Sequence, residues 1–291
     1  MTLSVLHLSD IHIKTKDDPI LSKSEHIAKT LYSELSQAEG VLILISGDIA
    51  FSGTQQQYVF AEKFLKEIEA AIRLERDIPI YYVFCPGNHD CDFSPNTTRE
   101  YIIDNLQKDD IETVDQKVLN DCTSHQKEYF NFANKFEKNR IQEDSLWVTH
   151  SIEINNKTIL LESLNLAWMS KIHEEQGHLQ FPFEKYTAKS ENNNSIRISV
   201  MHHPLNWLSQ RSYRNFRSCL RSISDIIVTG HEHYGNTIEH DDDESGKTLI
   251  IEAGSLQDGE CLEGSSFGII NLSIDSDKSL HKEFLFDSDN E

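Results

Sequence analysis

The residues of this 291-residue chain best suited to chemistry are histidines and carboxylates in short, recurring settings. Asp10-Ile11-His12, Gly47-Asp48, Gly87-Asn88-His89-Asp90, His202-His203-Pro204 and Gly230-His231-Glu232-His233 each follow an apolar stretch. Imidazole nitrogen with carboxylate and amide oxygen, and no thiolate, suits Mn²⁺ first, with Fe or Zn²⁺ as the other choices, rather than Ca²⁺. Seven of these residues, Asp10, His12, Asp48, Asn88, His202, His231 and His233, exceed what a single ion needs. Two divalent ions sharing Asp48 would use them all. Such pairs sit about 3.5–4 Å apart and clamp an in-line displacement at phosphorus.

Strands and helices must bring these residues together. Leu3 to Leu8 reads as a strand running into Asp10. Lys23 to Gln37 has helical spacing. Val41 to Ile45 is apolar throughout, as in a strand covered on both faces. Thr54 caps an amphipathic helix to about Leu74, and Ile80 to Phe84 is a third strand. This strand–helix alternation implies a mostly parallel sheet whose carboxyl ends share one edge. Strand periodicity would place Asp10 and His12 on the same side of an extended segment.

From Cys91 to about Asp144 the pattern changes to a helical insertion, with one helix from Asn96 and a second over Asp115–Arg140. A hairpin follows around Asn155-Asn156-Lys157. Ile196–Met201 and Asp225–Thr229 lead into the last two histidine motifs, with a helix from Tyr213 to Ile223 between them. The remainder reads as antiparallel strands. Without an identifiable linker, residues 1–291 are expected to form a single domain.

In that order the motifs resemble the calcineurin-like metallophosphoesterase superfamily, from residue 3 to residue 233. The resemblance implies a four-layer αββα sandwich, an α/β fold with two mixed sheets between helices and a dimetal site at the sheet edge. The final strands would belong to the second sheet. It implies one ion on Asp10, His12, Asp48 and His233, and another on Asp48, Asn88, His202 and His231. A metal-bridging hydroxide would attack phosphorus directly. His89 would stabilise the transition state or protonate the leaving oxygen, and Asp90 would orient the loop; these are the two residues assigned to catalysis. His203 is expected to pack or to support its neighbour.

The net charge of −21 disfavours general attraction to nucleic acid or anionic membrane. Arg211, Arg214, Arg217 and Arg221 nevertheless share a helix face, and Arg214 and Arg217 are the candidate substrate-phosphate contacts. Five cysteines without a CxxC pair, no apolar run near 20 residues and no basic leader fit a reduced, cytoplasmic protein. The expected activity is hydrolysis of a phosphodiester. Gly47-Asp48-Ile49-Ala50 and His202-His203-Pro204 look similar to the cyclic-nucleotide branch. A DNA or RNA nuclease is the alternative, and a non-catalytic scaffold comes last because no ligand is missing. Asp287–Glu291 reads as a tail or the start of a linker to a further module or partner.

Overall fold

In the computed structural model, which describes residues 2–108, 111, 113–183, 195–242, 246–257, 264–273 and 278–286, three N-terminal apolar runs pair as parallel strands. They are β1 (Thr2–Leu8), β2 (Ala38–Ile45) and β3 (Ile80–Phe84), with Val5 opposite Leu42 and Ile43 opposite Tyr82. Between β1 and β2 the expected single helix is two short ones, α1 (Ser24–Thr30) and α2 (Tyr32–Leu35). Thr30 Oγ1 donates to the Ile27 carbonyl at 2.7 Å, a local bond that competes with helix continuation. Helix α3 (Gln55–Glu75) starts where Gln57 Oε1 accepts from the Ser52 and Thr54 amides at 2.9 and 3.4 Å.

The insertion holds α4 (Thr97–Leu106), α5 (Gln116–Thr123) and α6 (Lys127–Phe136). The helix expected over Asp115–Arg140 is therefore broken at 124–126 and ends before β4 (Arg140–Glu143), a strand the sequence did not announce. Side-chain bonds back onto the helix mark the break: Thr123 Oγ1 to the Leu119 carbonyl and Ser124 Oγ to that of Asp121. The hairpin of β5 (Trp147–Ile154) and β6 (Lys157–Leu164) turns on Asn155 and Asn156, both at positive φ. Strands β7 (Ser195–Met201) and β8 (Ile226–Thr229) continue this second sheet in parallel, with α7 (Gln210–Ile223) between them.

The last four strands divide between the sheets, against expectation. β9 (Asn236–Asp242) and β10 (Gly246–Glu252) complete the second sheet, where β10 is parallel, not antiparallel, to β8. β11 (Ser266–Ser273) and β12 (Lys278–Leu285) extend the first, with β11 antiparallel to β1. Burial on both faces explains the place of β11. Ile270 and Leu272 enter the core between the sheets, while Ile269 joins the core under the helices. The polar loop at 191–194, most of the turn after Asp242 and the acidic end at 287–291 lie outside the described residues.

Four layers result. Leu3, Val5, Leu42 and Leu44 meet Ile159, Leu161, Ile198 and Val200 between the sheets. Ile27, Phe64, Ile68 and Phe132 from α1, α3 and α6 cover the outer face of the first sheet. Ile103, Leu119, Phe216 and Leu220 from α4, α5 and α7 cover the second. The insertion thus serves both outer layers. Cys85, Cys91, Cys122 and Cys219 are free thiols.

His7 on β1 is fully buried, with Nε2 at 2.9 Å from Ser46 Oγ. Burial, then the neighbouring His281, lowers its pKa from 6.5 to about 3, against the pull of Asp10. The unfolded chain takes up a proton on this residue below its usual value and the folded chain does not. Stability from His7 is therefore complete above that value and declines as pH falls toward about 3, by about 2 kcal/mol at pH ~5. Urea unfolding at about pH 7 and pH 5 should show this loss in the wild type and a smaller one in His7→Asn.

Candidate dimetal centre

Each predicted metal ligand sits just beyond the carboxyl end of a parallel strand: β1, β2 and β3 in one sheet, β7 and β8 in the other. The two edges are joined here. His202 Nδ1 donates to the Ser46 carbonyl at 2.8 Å, and the His231 amide donates to Asp10 Oδ2 at 3.1 Å. Gly47 permits that approach: its φ is +109°, and an added Cβ would lie 2.4 Å from His202 Nδ1.

The reason Asp10 and His12 converge is not strand periodicity. β1 ends at Leu8, and both residues are left-handed, with φ of 51° and 50°. Asp48 (54°), His231 (74°) and His233 (60°) share that conformation. Five of the seven non-glycine residues with positive φ among those described are thus predicted ligands; the others form the hairpin turn. Asp and His tolerate this region better than most residues, yet such conformations persist only where surrounding structure enforces them. The Asp10, Ile11 and His12 amides do so here, donating to the carbonyls of Gly47 and, twice, Asp48 at 2.9–3.1 Å.

Two groups of donor atoms meet at Asp48. In the first, Asp10 Oδ1 lies 3.3 Å from His233 Nε2 and 3.8 Å from His12 Nε2, which is 3.4 Å from His233 Nε2 and 3.9 Å from Asp48 Oδ2. In the second, His202 Nε2 is 3.2 Å from Asp48 Oδ2, from Asn88 Oδ1 and from His231 Nδ1. Asp10 Oδ1 is buried with no hydrogen-bond partner among the described residues. The His202 Nδ1–H bond to a carbonyl leaves Nε2 facing three other acceptors or lone pairs. Metal–ligand bonds of ~2.1 Å set adjacent ligand atoms about 3–3.5 Å apart, so both groups fit a cation in size and chemistry. Asp10, His12 and His233, and Asp10, Asp48 and His202, are triads that could hold an ion.

Electrostatics point the same way. Burial opposes ionisation of Asp10, but the His233 ring 3.3 Å away and the His202 charge lower its pKa to about 2. Burial likewise opposes ionisation of Asp48, yet His202 and His12 hold it well below the carboxylate range. Burial disfavours charge on His202, but Asp48 and then Asp10 outweigh this and raise it to about 10. A cation must displace that proton, so metal affinity rises with pH. Burial, then His203 and His202, lowers His231 to about 2, leaving its ring neutral.

The remaining predicted residues separate by position. His89 lines the cleft; its amide donates to Asp48 Oδ1 at 2.8 Å and its Nδ1–H to the Phe51 carbonyl at 2.7 Å. Asp90 is buried and turned to the backbone. Its oxygens accept from the Ile49, Ala50 and Gly87 amides at 3.0–3.3 Å and from Tyr58 Oη at 2.9 Å. Burial and the Asp48 charge raise its pKa to about 6, while these donors act in the opposite sense. It therefore positions the loops carrying Asp48 and His89 and does not face the cleft. Asp90→Asn turns an NH₂ onto one of those donors. It should cost about 2–3 kcal/mol in urea unfolding, and an unchanged midpoint would contradict the role.

Arg214 and Arg217 are not among the residues lining the cleft, contrary to expectation. Phe216 and Leu220 fix α7 by its apolar side, and Arg217 instead bonds and stacks on Tyr213, its guanidinium carbon 4.9 Å from the ring centroid. The sequence also missed partners. Glu174, from the loop after Trp168, bonds His203 Nε2 at 3.0 Å, and the His203 ring lies 4.4 Å from that of His231. Trp207 Nε1 donates to Glu232 at 2.6 Å while its ring meets His231 at 4.2 Å. Ser9 Oγ donates to Asp10 Oδ2 at 2.6 Å. Ser9, Ser46 and Glu232 adjoin or lie within the motifs, whereas Glu174 and Trp207 carried no local signal.

The sequence matches the calcineurin-like phosphoesterase family over residues 3–235. No curated protein matches it. Among solved structures, a hypothetical protein from Thermus thermophilus aligns with TM-score 0.48 and 9% identity, covering 98% of this chain and 99% of that one. Vacuolar Protein Sorting 29 from Cryptosporidium parvum aligns at 0.35 and 14%, covering 98% and 99%. The Thermus thermophilus sulfate thiohydrolase SoxB in complex with glycerol aligns at 0.47 and 12%, covering 97% and 56%. No helix among the described residues is long and apolar enough to cross a membrane. With its family match spanning all five motifs that carry the candidate ligands, the chain belongs to the calcineurin-like phosphoesterases.

Proposed function

We propose that this protein is a metal-dependent phosphodiesterase acting on small phosphodiesters. The observation that carries the reading is the sharing of Asp48 Oδ2 between two convergent donor groups. Two divalent ions held there, Mn²⁺ first among the candidates, would supply Lewis-acid polarisation of the phosphoryl oxygens and activation of water. The chain's own residues do the rest. The His89 amide ties the short turn that carries Asn88 and His89 to Asp48, and Asn88 Oδ1 faces His202 Nε2. With Nδ1–H committed to the Phe51 carbonyl, His89 presents Nε2 to the cleft, and its imidazolium hands a proton to the departing oxygen.

The cleft of about 280 Å³, bounded by His12, Lys14, Phe51, Asn88, His89, His231 and His233, favours a compact substrate such as a cyclic nucleotide or short oligonucleotide. None of the arginines that spoke for an extended nucleic-acid groove is among its lining residues. Full retention of the donor set speaks against a scaffold. The test is hydrolysis of bis-p-nitrophenyl phosphate, cyclic nucleotides, and single- and double-stranded DNA with added Mn²⁺. Mn²⁺-dependent cleavage of a diester is expected. Cleavage of monoesters alone, or of nothing, would contradict the proposal.

A further inference from the structure

Lys14 stands on the rim of the cleft without an ionic partner. Its ammonium lies 4.3 Å from the centre of the Phe51 ring, and no carboxylate among the described residues is within ion-pair distance. Lys29, Lys66, Lys135, Lys171, Lys247 and Lys282 all pair with Asp or Glu. Carboxylates are also close in sequence. Asp18 is taken by the Lys14 and Thr15 amides at 2.5 and 3.2 Å and by Thr15 Oγ1 at 3.1 Å, and Asp17 lies beside Lys16. The loop thus presents its lysine to the cleft.

The same contacts fix which flank it occupies. The Phe51 amide donates to the Ile13 carbonyl at 3.1 Å, holding the two segments together. The Phe51 carbonyl accepts from His89, and the two rings lie 5.0 Å apart. Lys14, Phe51 and His89 therefore form one row, with the ammonium on the side of the proposed proton donor. With His89 as the proton donor, a cation there would meet the group that departs and not the phosphoryl that is attacked.

We infer that Lys14 binds an anionic group on the leaving side of the scissile diester, so the substrate class is a nucleotide diester whose leaving nucleoside carries a further phosphate, as in a short phosphorylated oligonucleotide. A 3′,5′-cyclic mononucleotide lacks that group. This rests on the phosphodiesterase reading above. The test uses the full chain with Mn²⁺ on thymidylyl-thymidine, unphosphorylated and phosphorylated at the 5′ or the 3′ end, with products identified to show which nucleoside leaves. The wild type should prefer the form bearing phosphate on the leaving nucleoside by about tenfold in kcat/KM, the size of one exposed charge-assisted contact. The preference should shrink with added salt, disappear in Lys14→Ala and survive in Lys14→Arg. Hydrolysis without preference, or an equal preference in Lys14→Ala, overturns the assignment of Lys14 alone. Absence of hydrolysis of any diester, bis-p-nitrophenyl phosphate included, overturns the phosphodiesterase reading and this one with it.

Discussion

Asp48→Asn is expected to lower kcat/KM on a phosphodiester by at least about a thousandfold and to reduce bound Mn²⁺ from two ions per chain to one or none. The side chain has two assignments. Oδ2 lies 3.2 Å from His202 Nε2 and 3.9 Å from His12 Nε2, between the two donor groups, while Oδ1 accepts the His89 amide at 2.8 Å. An amide supplies one oxygen in place of two. Either the shared ligand or the anchor of the His89 turn is lost, and in both cases the negative charge between two cations disappears. Asn is nearly isosteric, so far-UV circular dichroism should be unchanged. Elemental analysis and initial rates are the readouts. A variant that keeps two ions and near-normal turnover would show that Asp48 does not bridge.

His89→Ala has a different expected signature. Turnover should fall about 10²–10⁴-fold, as for loss of a general acid, while bound metal stays at the wild-type level. The amide that donates to Asp48 is retained in alanine, which is why metal binding should survive. Leaving-group dependence sharpens the test. A p-nitrophenolate departs without a proton, so bis-p-nitrophenyl phosphate should lose much less rate than a dinucleotide. Equal losses on both would assign His89 to stabilising charge on the phosphoryl group instead of protonating the leaving oxygen. A drop in bound metal would make it a ligand and redraw the site.

Much of the site could be read from local sequence because the chain places the candidate ligands directly after apolar strands. In a parallel sheet, such positions share an edge whatever the loops do. The physical reason for convergence at Asp10 and His12 was hidden, since alternation implies extended backbone and the structure uses left-handed residues braced by Asp48 and Gly47. The distribution of β11 and β12 was hidden for another reason. Strands of mixed apolar and polar residues fit either sheet, and only the two-sided burial of Ile269 and Ile270 decides. Glu174 reaches His203 from 29 residues away, a contact no local pattern reports. The direction of the arginine face was hidden because spacing shows which residues share a side of α7 but not where that side points. Phe216 and Leu220 pack the apolar side of α7 over the second sheet.

The central claim is that two cations lie on either side of Asp48. Anomalous diffraction from crystals grown with Mn²⁺ tests it most directly. The account predicts two peaks about 3.5–4 Å apart, one against Asp10, His12 and His233, the other against Asn88, His202 and His231, with Asp48 touching both. A single peak, or two that do not share Asp48, would contradict it.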